Sequence, residues 1–161
     1  MVQRAFEEKQ HLQLSLFDRL ALDLNGRDPG DAISDVQIVR NAVLRDVENL
    51  LNTRCALQRP SARYKHLNCS VYVYGLDDFA ARNPKSPHVQ NVLKTIIGQT
   101  IATFEPRLKQ VLVQFRPEEG YGQNLCFSVQ ATLHADPIKE PICFDTWFSS
   151  SRGEYKIDNV K

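Results

Sequence analysis

Asp46, Glu48, Asp77, Asp78 and Glu105 are the carboxylates from which an acid–base site could be drawn. Two carboxyls held about 5–10 Å apart around a sugar cleft hydrolyse glycosides, one as proton donor and the other as nucleophile or base. Such a cleft needs aromatic walls, and Trp147 is the single tryptophan of the chain. Nothing in the spacing ties any two of these acids together, and Asp77-Asp78 reads most simply as a helix start. His11, His66, His88 and His134 are scattered. Cys55, Cys69, Cys126 and Cys143 form no CxxC pair and fit no common zinc spacing. There is no G-x-S-x-G elbow and no G-x-x-x-x-G-K-[ST] loop, and the 7 glycines speak against a phosphate cradle. The expectation is a protein with no catalytic residues, no cofactor and no metal, not an enzyme.

Binding is the remaining chemistry. Arg54, Arg59, Arg63 and Lys65 lie beside Tyr64 and His66, a mixture that can mark nucleic-acid binding. The cluster is short, however, and 20 basic against 19 acidic side chains leave a net charge of +1, so no nucleic-acid partner is expected. The apolar runs fall far short of the roughly 20 residues needed to span a bilayer, so no direct membrane insertion is expected. The first residues carry acids and no apolar signal core, which predicts a soluble cytoplasmic protein. In that reducing compartment the cysteines read as small, partly buried hydrophobes.

A charged corner, Glu105-Pro106-Arg107, sits between two well-marked elements. Ser86 and Pro87 suit an N-cap and a first helical position. Val89, Leu93, Ile96, Ile97, Thr100 and Phe104 recur at spacings of three and four and share a helix face. Pro106 biases Glu105 away from helical angles, so the helix should stop at Phe104. From Leu108 the apolar period becomes two, with Val111, Val113 and Phe115 on one face of a strand. Glu105 falls at the negative end of the helix dipole, which costs about 0.3–1 kcal/mol unless a cation such as Arg107 compensates. The residues alone leave two readings open, a solvated helix stop and a contact with another chain.

The rest of the chain supplies a frame for that corner. Residues 1–23 read as an N-terminal extension with an apolar docking segment at Leu14–Leu20, and residues 24–33 as a linker rich in turn residues. Residues 34–161 read as a single α+β domain of a size that supports a real core. Its first helix is marked by Ser34, Asp35 and Gln37 at the start, and by the stripe Val36, Val39, Val43, Val47 and Leu50. Arg40, Arg45 and Glu48 lie off the stripe and read as a solvated face. Val71–Gly75 reads as a short strand or extended segment. Leu125, Phe127, Val129, Ala131 and Leu133 form a second strand of the sheet, with one wet or partner-facing side. Ile142, Phe144, Thr146 and Phe148 form a third. Short connections make these three strands an antiparallel meander under N-terminal helices. Residues 149–161 read as a polar tail.

Four segments together resemble one family. Ser15-Leu16-Phe17-Asp18-Arg19-Leu20 is similar to its Ser-Leu-Leu-Asp-Arg-Leu signature. Val43 to Arg54 resembles its helix ending in Leu-Leu-Asn-Thr-Arg. Ser70 with Tyr74-Gly75-Leu76-Asp77-Asp78-Phe79 resembles its Ser…Tyr-Gly-Leu-Pro-Asp segment, departing at Asp77. Phe104-Glu105-Pro106-Arg107-Leu108 resembles its Glu-Pro-Arg-Leu corner. The family is TssE, the wedge component of the type VI secretion baseplate, itself similar to the small wedge protein of contractile phage baseplates.

The resemblance implies a cytoplasmic structural protein at the inner face of the inner membrane. It implies binding to the wedge proteins TssF and TssG, and initiation of the contractile sheath of TssB and TssC. It further implies a fold like the sheath's own interlocking domain, with strands shared between subunits. It implies Glu105, Pro106 and Arg107 at the corner as partner-binding residues. Leu16, Phe17, Asp18 and Arg19 are expected to join them, while the residues alone leave their segment two fates, docking on its own domain or hooking another protein. Glu105→Ala or Arg107→Ala is then expected to leave the isolated domain folded while weakening wedge assembly. A small adaptor on the same fold that binds a regulatory protein is the alternative reading, and a peptidoglycan hydrolase a more distant one.

Overall fold

The computed structural model describes residues 20, 36–56, 60–77, 86–116, 125–136, 138–149 and 152–158. The 1–23 and 24–33 segment boundaries, the Ser34–Asp35 helix start and the docking residues Leu16, Phe17, Asp18 and Arg19 lie outside them. Leu20 is described and is exposed.

Helix α1, Val36–Asn52, buries Val39, Val43, Val47 and Leu50 as the stripe requires, with Ala42, Leu44 and Leu51 widening it. Helix α2, Pro87–Phe104, opens on extended Ser86 with Pro at its start and buries Leu93, Ile97, Thr100 and Ile101. Four strands follow in sequence order: β1 Leu108–Arg116, β2 Leu125–Ala135, β3 Ile138–Ser149 and β4 Glu154–Asp158. Each pairs antiparallel with the next, giving the sheet order β1-β2-β3-β4. The α+β class holds, but the sheet has a fourth strand where a polar tail was expected. Gly153, at φ +68°, turns the chain there, with its N–H donating to the Ser149 carbonyl at 2.8 Å. Tyr155 then buries against Phe148, ring centroids 4.7 Å apart.

The helices cover one sheet face, and the core between the layers is built on Phe127 and Phe144, both fully buried, with Val43, Val47, Ile97, Ile101 and Val129. The second face is not simply wet. Cys126 and Ser128 of β2 are buried, as is Asp145, which lies opposite Ser128 on β3.

Two further differences from the sequence reading are local. Val71–Gly75 is not a strand. Val71–Val73 forms a 3-10 turn whose start is fixed by the Ser70 hydroxyl accepting from the Tyr72 N–H. A local side-chain bond of this kind offers the backbone an alternative to pairing. The segment's ladder contact is a single parallel bridge, Arg54 to Leu76. On β1 the pairing register shifts between Lys109 and Leu112, so that Gln110 and Val111 oppose Ala131 alone. This bulge is why Leu108 and Val113 both face the core although five positions apart, an odd step that a regular strand would split across two faces. Gln110 sits there at φ +55°. A side chain is disfavoured in that region, so Gln110→Gly is expected to raise stability by up to about 1 kcal/mol. Urea unfolding of the two proteins checks it.

Candidate partner-binding site

The corner forms where α2 runs into β1. Glu105 donates its N–H to the Ile101 carbonyl at 2.8 Å, ending the helix, and its own carbonyl accepts from the Leu108 N–H at 3.0 Å. The Arg107 carbonyl accepts from the His134 N–H at 2.7 Å, which ties the corner to β2. Pro106 stands between them without a donor to satisfy.

The Glu105 side chain turns inward and is only 6% exposed. Arg107 closes over it as a fork: Nε donates to Oε1 at 2.7 Å and Nη2 to Oε2 at 2.6 Å. The Arg107 backbone N–H adds a longer bond to Oε1 at 3.3 Å. Arg107 Nη2 also donates to Asp46 Oδ2 on α1 at 2.7 Å, and Arg45 Nη2 lies 3.4 Å from Asp46 Oδ1. A helix end, a strand start and a second helix thus share one guanidinium. Bidentate geometry makes such charged hydrogen bonds roughly twice as strong as neutral ones. The bond to Glu105 raises the Arg107 pKa above its usual value, so the cation persists at every working pH. The dipole penalty at Glu105 is thereby compensated inside the chain.

The outer side of this assembly is open. Arg107 is 29% and Asp46 33% exposed. Among the described residues Arg107 Nη1 carries no hydrogen bond, and it remains available to an acceptor from outside.

Tyr74 completes the surroundings, its ring edge-on to Phe104 at 5.3 Å. Burial first, then the charges of Asp46 and Glu105, raise its pKa above 10.0. The unfolded chain therefore loses this proton before the folded one. The resulting stability is complete below the unfolded pKa and is lost as pH rises through the folded value. Tyr74→Phe is expected to flatten the alkaline fall in stability, read as urea midpoints between about pH 9 and 11.

The described acids considered for hydrolysis are engaged structurally. Asp46 and Glu105 hold Arg107, Glu48 accepts the Ile157 N–H at 3.1 Å, and Asp77 accepts from the Cys55 thiol at 2.9 Å. Glu48 is therefore not a solvated residue, and its role was invisible without the fourth strand. Asp78 lies outside the described residues. A shallow pocket between the 3-10 turns and α2, floored by Ile96, Thr100 and Phe104, has no acid, histidine or cysteine among the described residues of its walls. Among the described residues no three His, Cys, Asp or Glu side chains are grouped to hold a metal ion. No helix there is long and apolar enough to cross a membrane.

Of the basic cluster, Arg59 lies outside the described residues. Arg63 stacks on Tyr64, 4.9 Å from the ring centroid, on an exposed loop whose Val71 is 87% exposed.

Nearly all of α1, then α2, the charged corner and the first two strands fall within residues 38–138, the stretch matched by the family model of baseplate wedge protein gp25. The chain belongs to the family of baseplate wedge protein gp25. No curated protein matches it.

Proposed function

We propose that this chain is the TssE-type wedge component of a type VI secretion baseplate, working in the cytoplasm at the inner face of the inner membrane. It joins TssF and TssG through the Glu105-Pro106-Arg107 corner and starts the TssB–TssC sheath by strand sharing, without catalysis. The observation that carries this reading is the corner itself: a buried fork whose outer side leaves Asp46 and Arg107 Nη1 toward solvent. In this arrangement Glu105 positions the guanidinium, and Arg107 makes the contact. Leu16, Phe17, Asp18 and Arg19 add a second anchor in the same assembly. Membership in the wedge family supports a baseplate role, and the four matched segments support the secretion-system branch of it.

The test is co-purification with TssF and TssG, comparing the wild type with Glu105→Ala after thermal melts show that the variant is folded. Loss of a charge contact at such an interface costs about 2–5 kcal/mol, enough to deplete the complex at micromolar concentration. A folded variant that still co-purifies in full removes the corner from the interface.

A further inference from the structure

The two edges of the sheet are built differently. On β4 the outer edge is already occupied. Asn52 Nδ2 donates to the Tyr155 carbonyl at 2.9 Å, and Asn52 Oδ1 accepts from the Tyr155 N–H at 2.8 Å. One side-chain amide offers Tyr155 what the peptide of a neighbouring strand would offer. One helical turn earlier, Glu48 accepts from the Ile157 N–H at 3.1 Å. Residues four apart on α1 stack on one face, and residues two apart on β4 present their peptide groups in the same direction. The two spacings match, so the last turn of α1 lies along β4 in the place of a strand. A newcomer there would have to break these bonds and displace the helix end.

On β1 the outer edge is open: among the described residues, its backbone from Lys109 to Arg116 bonds only within the ladder to β2. The bulge at Gln110 leaves Leu112–Arg116 as the regular run. Unpaired edges of this kind template the addition of a strand. Counting through the bulge, Lys109, Leu112, Gln114 and Arg116 share the face away from the core. Leu112 is 43% exposed, and the Arg116 side chain remains 51% exposed although it reaches Asp145 at 3.3 Å. The strand LKQVLVQFR contains no acid.

We infer that the sheet is one-ended: it takes a partner strand on β1 only, and that strand belongs to another polypeptide with carboxylates opposite Lys109 and Arg116. A second copy of this chain is the wrong occupant, because like charges set across a strand pair repel. The inference rests on the strand-sharing reading above and gives it a direction. Strand exchange can start from this protein but cannot pass through it.

Amide hydrogen exchange on the full chain tests this. In the free protein the Tyr155 and Ile157 amides exchange at least ~10-fold more slowly than the outward amides of β1. Asn52→Ala accelerates Tyr155, and Glu48→Ala accelerates Ile157. The probe is an end-blocked peptide of nine residues, the length of β1, alternating glutamate and valine. It protects β1 and leaves β4 unchanged, and its lysine–valine counterpart binds at least ~10-fold more weakly. Fast exchange at Tyr155 and Ile157, peptide protection on β4, equal binding of the two peptides, or no binding of the acidic one each overturns the inference. The sheath subunits named above form the last arm. If they protect β4, one-endedness fails while strand sharing stands. If they protect neither edge while the acidic peptide still protects β1, strand sharing with the sheath fails and the one-ended sheet stands.

Discussion

Arg107→Ala is expected to destabilise the isolated protein by about 3 kcal/mol, the effect of removing one partner from a buried pair. Glu105→Ala is expected to cost only about 1–2 kcal/mol. The asymmetry follows from burial. Without Arg107, the Glu105 carboxylate, 6% exposed, keeps the single 3.3 Å bond from the backbone N–H of residue 107. Without Glu105, Arg107 is still 29% exposed and still bonded to Asp46 at 2.7 Å. Urea unfolding of the isolated chain checks the order, and for a protein of this size 1 kcal/mol moves Tm by about 2–4 °C. Equal losses would mean that Asp46 does not support the guanidinium. The order also decides which variant reports on assembly. Glu105→Ala removes the fork that orients the guanidinium while leaving the protein folded and the Asp46 bond in place, whereas Arg107→Ala mixes a lost contact with a weakened fold.

Gly75→Ala is expected to cost at least about 3 kcal/mol, the scale of a combined backbone clash and strained φ. Gly75 has φ +106°, and a Cβ there would stand 2.3 Å from the Thr53 carbonyl oxygen and 3.2 Å from the Cys55 nitrogen. Those two groups are not free to retreat. The Thr53 carbonyl accepts from the Leu76 N–H at 2.8 Å, and the Cys55 N–H donates to the Leu76 carbonyl at 3.0 Å. Together they dock Leu76, 2% exposed, behind the end of α1. Gly153→Ala is the control. It shares a positive φ of +68°, but its nearest neighbour is a flexible arginine end at 3.8 Å, so only the backbone term of about 1 kcal/mol applies. Denaturant midpoints with unchanged m-values would show that the difference lies in the folded state. If the two substitutions cost the same, the contact between residues 53 and 75 is not tight.

The corner's architecture was legible in the chain because it is local. Pro106 ends a helix whose apolar face can be counted, and the period changes to two immediately beyond it. The ion pair was half legible. Residues 105 and 107 are close in sequence, but whether they meet each other or another chain depends on Asp46, 61 positions before Arg107. The bulge at Gln110 was not legible, since one extra residue shows only against a partner's register. The fourth strand was missed because its apolar signal is just Tyr155 and Ile157, and the bonds on its outer edge come from a helix more than 100 residues earlier. Val71–Gly75 misled in the other direction. Valine and tyrosine favour strands, yet Ser70 turned the backbone on itself.

The contact between α1 and β4 also sets a timetable. Each strand pairs with the one made just before it, so β1, β2 and β3 can zip together as they leave the ribosome. The bonds from Asn52 to Tyr155 and from Glu48 to Ile157 span 103 and 109 residues. At about 5–20 residues per second, α1 waits roughly 5–20 s between its own synthesis and the arrival of its partner strand. Until then the β3 side of the growing sheet has neither β4 nor the α1 side chains against it. The bonds from α1 that close the β4 edge can form only when residue 157 has been added and folded back.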